Sequence, residues 1–254
     1  MIEAMPLFYL RGLTGKQRSQ TANRHLACFL AFIAGAVNAG GYLAVRQYTS
    51  HMSGVVSSMA DDLALGQIRP LLAGAAALGC FVLGAASTAV LVNWARRRRL
   101  ESEYALPLCV QAGLLVCFAV VGGRMQRHEW FAVSATVALL CFTMGLQNAI
   151  ITKISRAEIR TTHVTGMVTD IGIELGKMLY WNRAATGEPV RADMAKLGLL
   201  ATLVGLFFIG GLAGALAFKH AGFISALPLA GLLLVLAAMP VLEDFGLHLR
   251  EARR

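Results

Sequence analysis

Polar positions do not alternate with apolar ones along this chain; apolar residues gather into six long runs, at about 26–46, 71–95, 105–122, 130–152, 197–218 and 223–242. Each run has roughly the 18 to 22 residues that a helix needs to cross about 30 Å of hydrocarbon. All are rich in Ala, Leu and Gly, and small residues at Gly79/Gly84 and Gly205/Gly210/Gly214 are expected to let helix backbones approach closely. Two remaining segments, about 49–66 and 161–177, are shorter and more polar than the spans.

Those two segments are copies of one cassette. Thr49-Ser50-His51-Met52-Ser53-Gly54-Val55-Val56-Ser57 is matched by Thr161-Thr162-His163-Val164-Thr165-Gly166-Met167-Val168-Thr169. The likeness extends outward: Gly35-Ala36-Val37-Asn38-Ala39 matches Gly145-Leu146-Gln147-Asn148-Ala149, and Gly79-Cys80-Phe81-Val82-Leu83-Gly84 matches Gly205-Leu206-Phe207-Phe208-Ile209-Gly210. Leu106-Pro107-Leu108 and Leu227-Pro228-Leu229 open the last span of each half. Each half thus reads span, cassette, span, span.

Composition supports a membrane chain. Hydrophobic residues make up 57% of the 254 residues and charged ones 15%, with a mean hydropathy of +0.62. A soluble domain is about half apolar and a quarter charged. The net charge of +9 would suggest nucleic acid in a soluble chain, but here Lys and Arg sit between the apolar runs, where they set orientation. No nucleic-acid partner is expected. Cys28, Cys80, Cys109, Cys117 and Cys141 lie inside apolar runs with no CxxC pair, as small hydrophobes. The basic stretch before residue 26 has the look of a signal-peptide n-region, yet cleavage there would remove or truncate the first copy of the repeat, so it is read as retained.

The basic residues also predict topology. If the cassettes do not cross and the N-terminus is cytoplasmic, eighteen of the 23 Lys and Arg fall on the cytoplasmic side, among them Arg96-Arg97-Arg98-Arg99. Arg46, Arg69, Arg124, Arg127 and Lys219 fall outside. The expected fold is an all-α integral membrane protein: six transmembrane helices as two inverted three-helix repeats, each with a re-entrant or half-helix segment. Its parts are a cytoplasmic N-terminal segment 1–25, a first repeat 26–122, a second repeat 130–242 and a basic cytoplasmic tail 243–254. Thr49/Ser50 and Thr161/Thr162 are read as N-caps of short helices running to Gly66 and Gly176, with their first N–H groups free to face an anion or polar solute.

The pattern Gly-x-x-Asn-Ala followed by Thr-Ser-His-Met-Ser-Gly, repeated as Gly-Leu-Gln-Asn-Ala and Thr-Thr-His-Val-Thr-Gly, resembles the YoaK family of bacterial membrane proteins over roughly residues 26–242. The resemblance implies a multi-pass inner-membrane protein and names no substrate or catalytic residue.

The candidate chemistry comes from the residues. Asn38 and Asn148 lie within the first span of each half, where an unbonded amide is costly, and Gln147 stands where the first half has Val37. His51 and His163 occupy matching cassette positions and titrate near neutral pH in the ordinary case. Thr49, Ser53, Gly54 and Ser57, with Thr161, Thr165, Gly166 and Thr169, complete the expected binding set. Asp61, Asp170 and Glu174 are the proton-coupling candidates; Asp170 and Glu174 are one helical turn apart and are expected to raise one another's pKa. No metal-ligand spacing, nucleophile motif or nucleotide loop is present, so no cofactor and no enzyme activity is expected.

The resulting expectation is a small secondary transporter of a small polar or anionic solute, with proton coupling as an option and the site between the cassettes. The alternatives are a channel-like pore, or a non-transporting membrane enzyme or assembly factor; the cassettes could also lie on the surface as amphipathic helices. The lipid bilayer and a small solute are the expected partners, and homo-oligomer formation is left open.

Overall fold

The computed structural model describes residues 5–16, 18–122, 129–155, 160–182 and 188–251, and among them every regular element is helical. The helices are α1 (Met5–Thr14), α2 (Gln20–Val45), α3 (Met52–Ala64), α4 (Ile68–Arg97), α5 (Ala105–Gly122), α6 (Glu129–Ile154), α7 (Val164–Leu179), α8 (Met194–Ala221) and α9 (Ala226–Glu251). Among the described residues five helical runs are long and apolar enough to cross a membrane: Gln20–Val45, Ile68–Arg97, Ala105–Gly122, Ser134–Ile154 and Met194–Gly246. The last run has 53 residues because a short 3-10 turn, Gly222–Ser225, joins α8 to α9. The expected spans coincide with long helices, though α2 runs from Gln20 to Val45 rather than 26 to 46, α4 starts at Ile68 rather than 71, and the last span starts in the 3-10 turn with α9 beginning only at Ala226.

Local chemistry explains the breaks. Ser19 accepts from the Ala22 N–H to start α2, and Asp193 accepts from the Lys196 N–H to start α8. Both carboxylate oxygens of Asp244, on α9, accept N–H groups of Glu101 and Ser102 just before α5. Gly66 and Gly222 adopt positive φ, 69° and 65°, to end α3's turn and α8. The N-terminal segment is no free tail. It forms α1, which packs on α9 through the Thr14 hydroxyl donating to the Leu236 carbonyl at 2.8 Å and an Arg11–Glu243 ion pair at 3.1 Å.

Three helix pairs build the bundle: α2 with α8, α4 with α6, and α5 with α9. Glycine makes the first two close. Seen as the position of an added Cβ, Gly35 lies 2.9 Å from the Phe207 carbonyl carbon and Gly145 lies 2.8 Å from that of Phe81. Gly84 and Gly210 stand 2.8 Å from the Phe142 and Phe32 carbonyl carbons in the same sense. Backbone thus meets backbone where any side chain would hold the helices apart. Gly84, Gly210 and Gly214 do what the small-residue pattern suggested, whereas Gly79 and Gly205 face open space.

The contacts also fix direction. Phe32 meets Gly210 and Gly40 meets Phe218, so α2 and α8 run parallel. Gly41 meets Leu140 whereas Gln147 reaches the Leu30 carbonyl, so α2 and α6 run antiparallel. The short helices α3 and α7 pack on α4 and α8 respectively.

Two sequence expectations about the cassettes change. The residues preceding α3 and α7 as N-caps are His51 and His163, not the Thr and Ser positions, and neither side chain makes a capping bond. Gly176 does not stop α7, which continues to Leu179. Arg124, Arg127, Arg156, Arg183, Arg253 and Arg254, used in the charge count, lie outside the described residues.

Candidate functional site

Each cassette is tied to the long helix preceding it by one asparagine. The Ser50 N–H and hydroxyl both donate to Asn38 Oδ1, at 3.4 and 3.1 Å. In the second half the Thr162 hydroxyl donates to Asn148 Oδ1, while Asn148 Nδ2 donates to the Met144 carbonyl at 2.8 Å. The hydroxyls that could have capped α3 and α7 are therefore spent on holding the cassettes to α2 and α6. Thr49 and Thr161, one residue earlier, are fully buried and their hydroxyls have no described partner.

The histidines fold over the starts of their own helices. The position of an added Cβ on Gly54 lies 2.7 Å from His51 Nε2, and that on Gly166 lies 2.5 Å from His163 Cε1. This accounts for glycine at the third helical residue of both copies: a methyl group there would occupy the ring's place. Both rings remain exposed at the mouths of the helices.

The two cassettes meet at one cavity of about 720 Å³. The long helices contribute one residue each: Asn38 from α2, Phe81 from α4, Asn148 from α6 and Phe207 from α8. The cassettes supply Ser50, His51, Met52 and Ser53 on one side and Thr162, His163, Val164 and Thr165 on the other, with Tyr48 and Arg160 beside them. No Asp or Glu lines it among the described residues. The lining is mostly apolar, but one guanidinium and two uncapped helix starts make it complementary to negative charge. A second recess of about 520 Å³ between α3 and α4 shares Tyr48 and His51 with this cavity, so those two rings partition them.

Of the residues expected at the site, Asn38, His51, Ser53, Asn148, His163 and Thr165 line the cavity. The others are elsewhere. Gln147 is fully buried between helices, accepting from Gln111 Nε2 at 2.7 Å and donating to the Leu30 carbonyl at 2.6 Å; it is a helix-to-helix bond, since the α6 face one residue before Asn148 points at α2 and α5. Thr49 and Thr161 are buried, and Gly54 and Gly166 lie under the histidine rings. Ser57, Asp61 and Thr169 are exposed, with the Thr169 hydroxyl donating to the Thr165 carbonyl.

The acidic pair on α7 also reads differently. Glu174 is 1% exposed. Its carboxylate accepts from the Asp193 N–H at 2.9 Å and from Lys177 Nζ at 2.9 Å. Those bonds and the nearby lysines hold it below the usual carboxylate range, opposite to the expected rise. Lys196 bridges the pair, 3.3 Å from Asp170 and 3.9 Å from Glu174. Asp170 lines a separate recess of about 420 Å³ with Gln20, Arg24, Ser155 and Lys196. This cluster joins α7 to α8 as an ion-pair network.

Eight lining residues were not among those expected at the site: Tyr48, Ser50, Met52, Phe81, Arg160, Thr162, Val164 and Phe207. A signal existed for two of them: Phe81 and Phe207 are the aromatic residues that coincide in the repeated Gly-x-x-x-x-Gly segments.

Long apolar helices and close glycine crossings define a polytopic, membrane-type helical protein. More particularly, the chain belongs to the DUF1275 family of proteins of unknown function, which matches residues 26–239 and so includes both cassettes and every residue that lines the cavity. No curated protein and no solved structure matches the chain.

Proposed function

We propose that the protein is a small secondary transporter of the bacterial inner membrane, moving a small polar or anionic solute through the cavity between the cassettes. The observation that carries this reading is the single cavity lined from both copies of the cassette by matching residues: Asn38 and Asn148, His51 and His163, Ser53 and Thr165. Its long helices form six crossings if α8 and α9, of 28 and 26 residues, each span. The crossings then comprise an inverted pair of three, a reading supported by the matched packing of α2 with α8 and α4 with α6. On the charge count both termini are cytoplasmic, α3 enters from outside and α7 from the cytoplasm. The repeated motifs, which lie within the family match, support a place close to the YoaK proteins.

Among small solutes, the lining favours anions, because Arg160 and the two helix starts are complementary to negative charge and no described carboxylate opposes it. His51 and His163 flank the cavity on opposite cassettes, where each can bind the solute or take up a proton. Flux of a panel of small anions and neutral polar solutes into proteoliposomes tests the reading. His51→Ala with His163→Ala is expected to slow whichever solute the wild type carries; unchanged flux removes the histidines from the site. Saturable countertransport distinguishes a carrier from a pore. In a cysteine-free background, labelling of cysteines placed at 53 and 165 from the same membrane side would sink the inverted arrangement.

A further inference from the structure

The four long helices that line the cavity present two amides and two phenyl rings, and their order along the bundle is set by the glycine crossings. Gly35 packs on the Phe207 backbone and lies three residues before Asn38 on α2. Gly145 packs on the Phe81 backbone and lies three residues before Asn148 on α6. Since α2 and α6 are antiparallel, "before" points toward the other asparagine in both cases. The amides and their cassettes therefore occupy the two ends of the cavity, about 10 Å apart at 1.5 Å of rise per residue. Phe81 and Phe207 both line the cavity, and their backbones meet Gly145 and Gly35 at the level between the two amides.

We propose that Phe81 and Phe207 form an apolar waist between two polar half-sites and set the size and hydration limit of the solute that passes. The inference rests on the transport reading and adds to it a substrate class. Between the rings a solute exchanges water for carbon, while the amides and the hydroxyls bonded to them sit toward the ends of the cavity. That exchange is costly for any polar group and far more so for an unpaired charge. A small monovalent anion that can stay in contact with one end while leaving the other suits such a path. A multivalent oxyanion does not. The waist also explains why the two halves keep an aromatic residue at this position while the amides and hydroxyls sit toward the ends.

The experiment is flux of formate, acetate, propionate, sulfate, urea and glycerol in proteoliposomes, with Phe81→Ala and Phe207→Ala measured beside the wild type and His51→Ala. In a fitted apolar passage each added methylene changes discrimination by about tenfold or more. The wild type is expected to show that fall from formate to propionate and to exclude sulfate. Each alanine variant is expected to flatten the series, while His51→Ala slows every transported solute without changing their ratios. If an alanine variant does not fold, Phe81→Leu and Phe207→Leu are expected to relax the series in part, and Phe81→Trp to steepen it. Folded Phe variants with the wild-type ratios overturn the waist and leave transport standing. No flux of any of these solutes through the wild type overturns the transport reading, and the waist with it.

Discussion

Replacing Gly214 by alanine tests whether the bundle depends on backbone contact between α2 and α8. A Cβ at 214 lies 2.5 Å from both Cα and the carbonyl oxygen of Ala36. Carbon pairs settle at about 3.5–4.0 Å, so the helices must part locally by about 1 Å. Neither atom is on a rotatable side chain, which places the strain near the upper end of the 1–3 kcal/mol typical of overpacking, about 3 kcal/mol. The gain in helix propensity from Gly to Ala returns about 1 kcal/mol. Gly205 is the internal control: it is on the same helix, and nothing lies within 4 Å of its added Cβ, so Gly205→Ala keeps only the propensity gain. The net expectation is a loss of about 2 kcal/mol for Gly214→Ala and a gain of about 1 kcal/mol for Gly205→Ala. At roughly 2–4 °C per kcal/mol for a chain of this size, the first melts about 4–8 °C below the wild type and the second slightly above it. Thermal unfolding of the detergent-solubilised protein, followed by a buried-thiol probe, measures both. Equal melting temperatures for the two variants would refute the claim that α2 and α8 meet through backbone at Gly214.

Three further outcomes are expected. Gln147→Leu leaves the buried Gln111 amide without its partner and costs about 1–3 kcal/mol, whereas Gln111→Leu with Gln147→Leu recovers most of that loss in the same assay; an additive double variant would contradict the pairing. Glu174 is held below its usual pKa, so its contribution to stability is present above the unfolded carboxylate pKa of about 4.3 and is lost as pH falls through the lower folded value. The wild type should lose melting temperature on acidification below about pH 4 by an increment missing in Glu174→Gln, and identical pH profiles would remove Glu174 from the ion-pair network. Gly166→Ala is expected to cost about 1 kcal/mol in the wild type and to lose that cost in a His163→Ala background, since the three atoms nearest the added methyl all belong to the imidazole; equal costs in the two backgrounds would show that the ring does not rest on Gly166.

The linear chain contained the inventory and the symmetry. Run length alone located the long helices, because crossing or filling a bundle needs about 20 continuous apolar residues whatever their partners are. The repeated Asn, His, hydroxyl and Gly positions marked both cassettes, and six of the expected residues meet in one cavity. The capping serine and aspartate of α2 and α8 were equally local features, acting within three residues.

Orientation about each helix axis was a tertiary matter. α4, α6 and α8 are apolar on every side, so no periodic stripe says which face meets a neighbour and which meets lipid. Only packing distinguishes Gly84, Gly210 and Gly214, pressed on backbone, from Gly79 and Gly205 in open space. The same rotation sends Asn148 into the cavity and the adjacent Gln147 into a buried bond with Gln111. Asp170 and Glu174 form a pair of like charges in sequence, but Lys177, Lys196 and the Asp193 N–H surround them in space and reverse the shift expected for Glu174. A sequence determines which groups a helix carries; the facing helix decides whether each one meets backbone, an opposite charge or an open cavity.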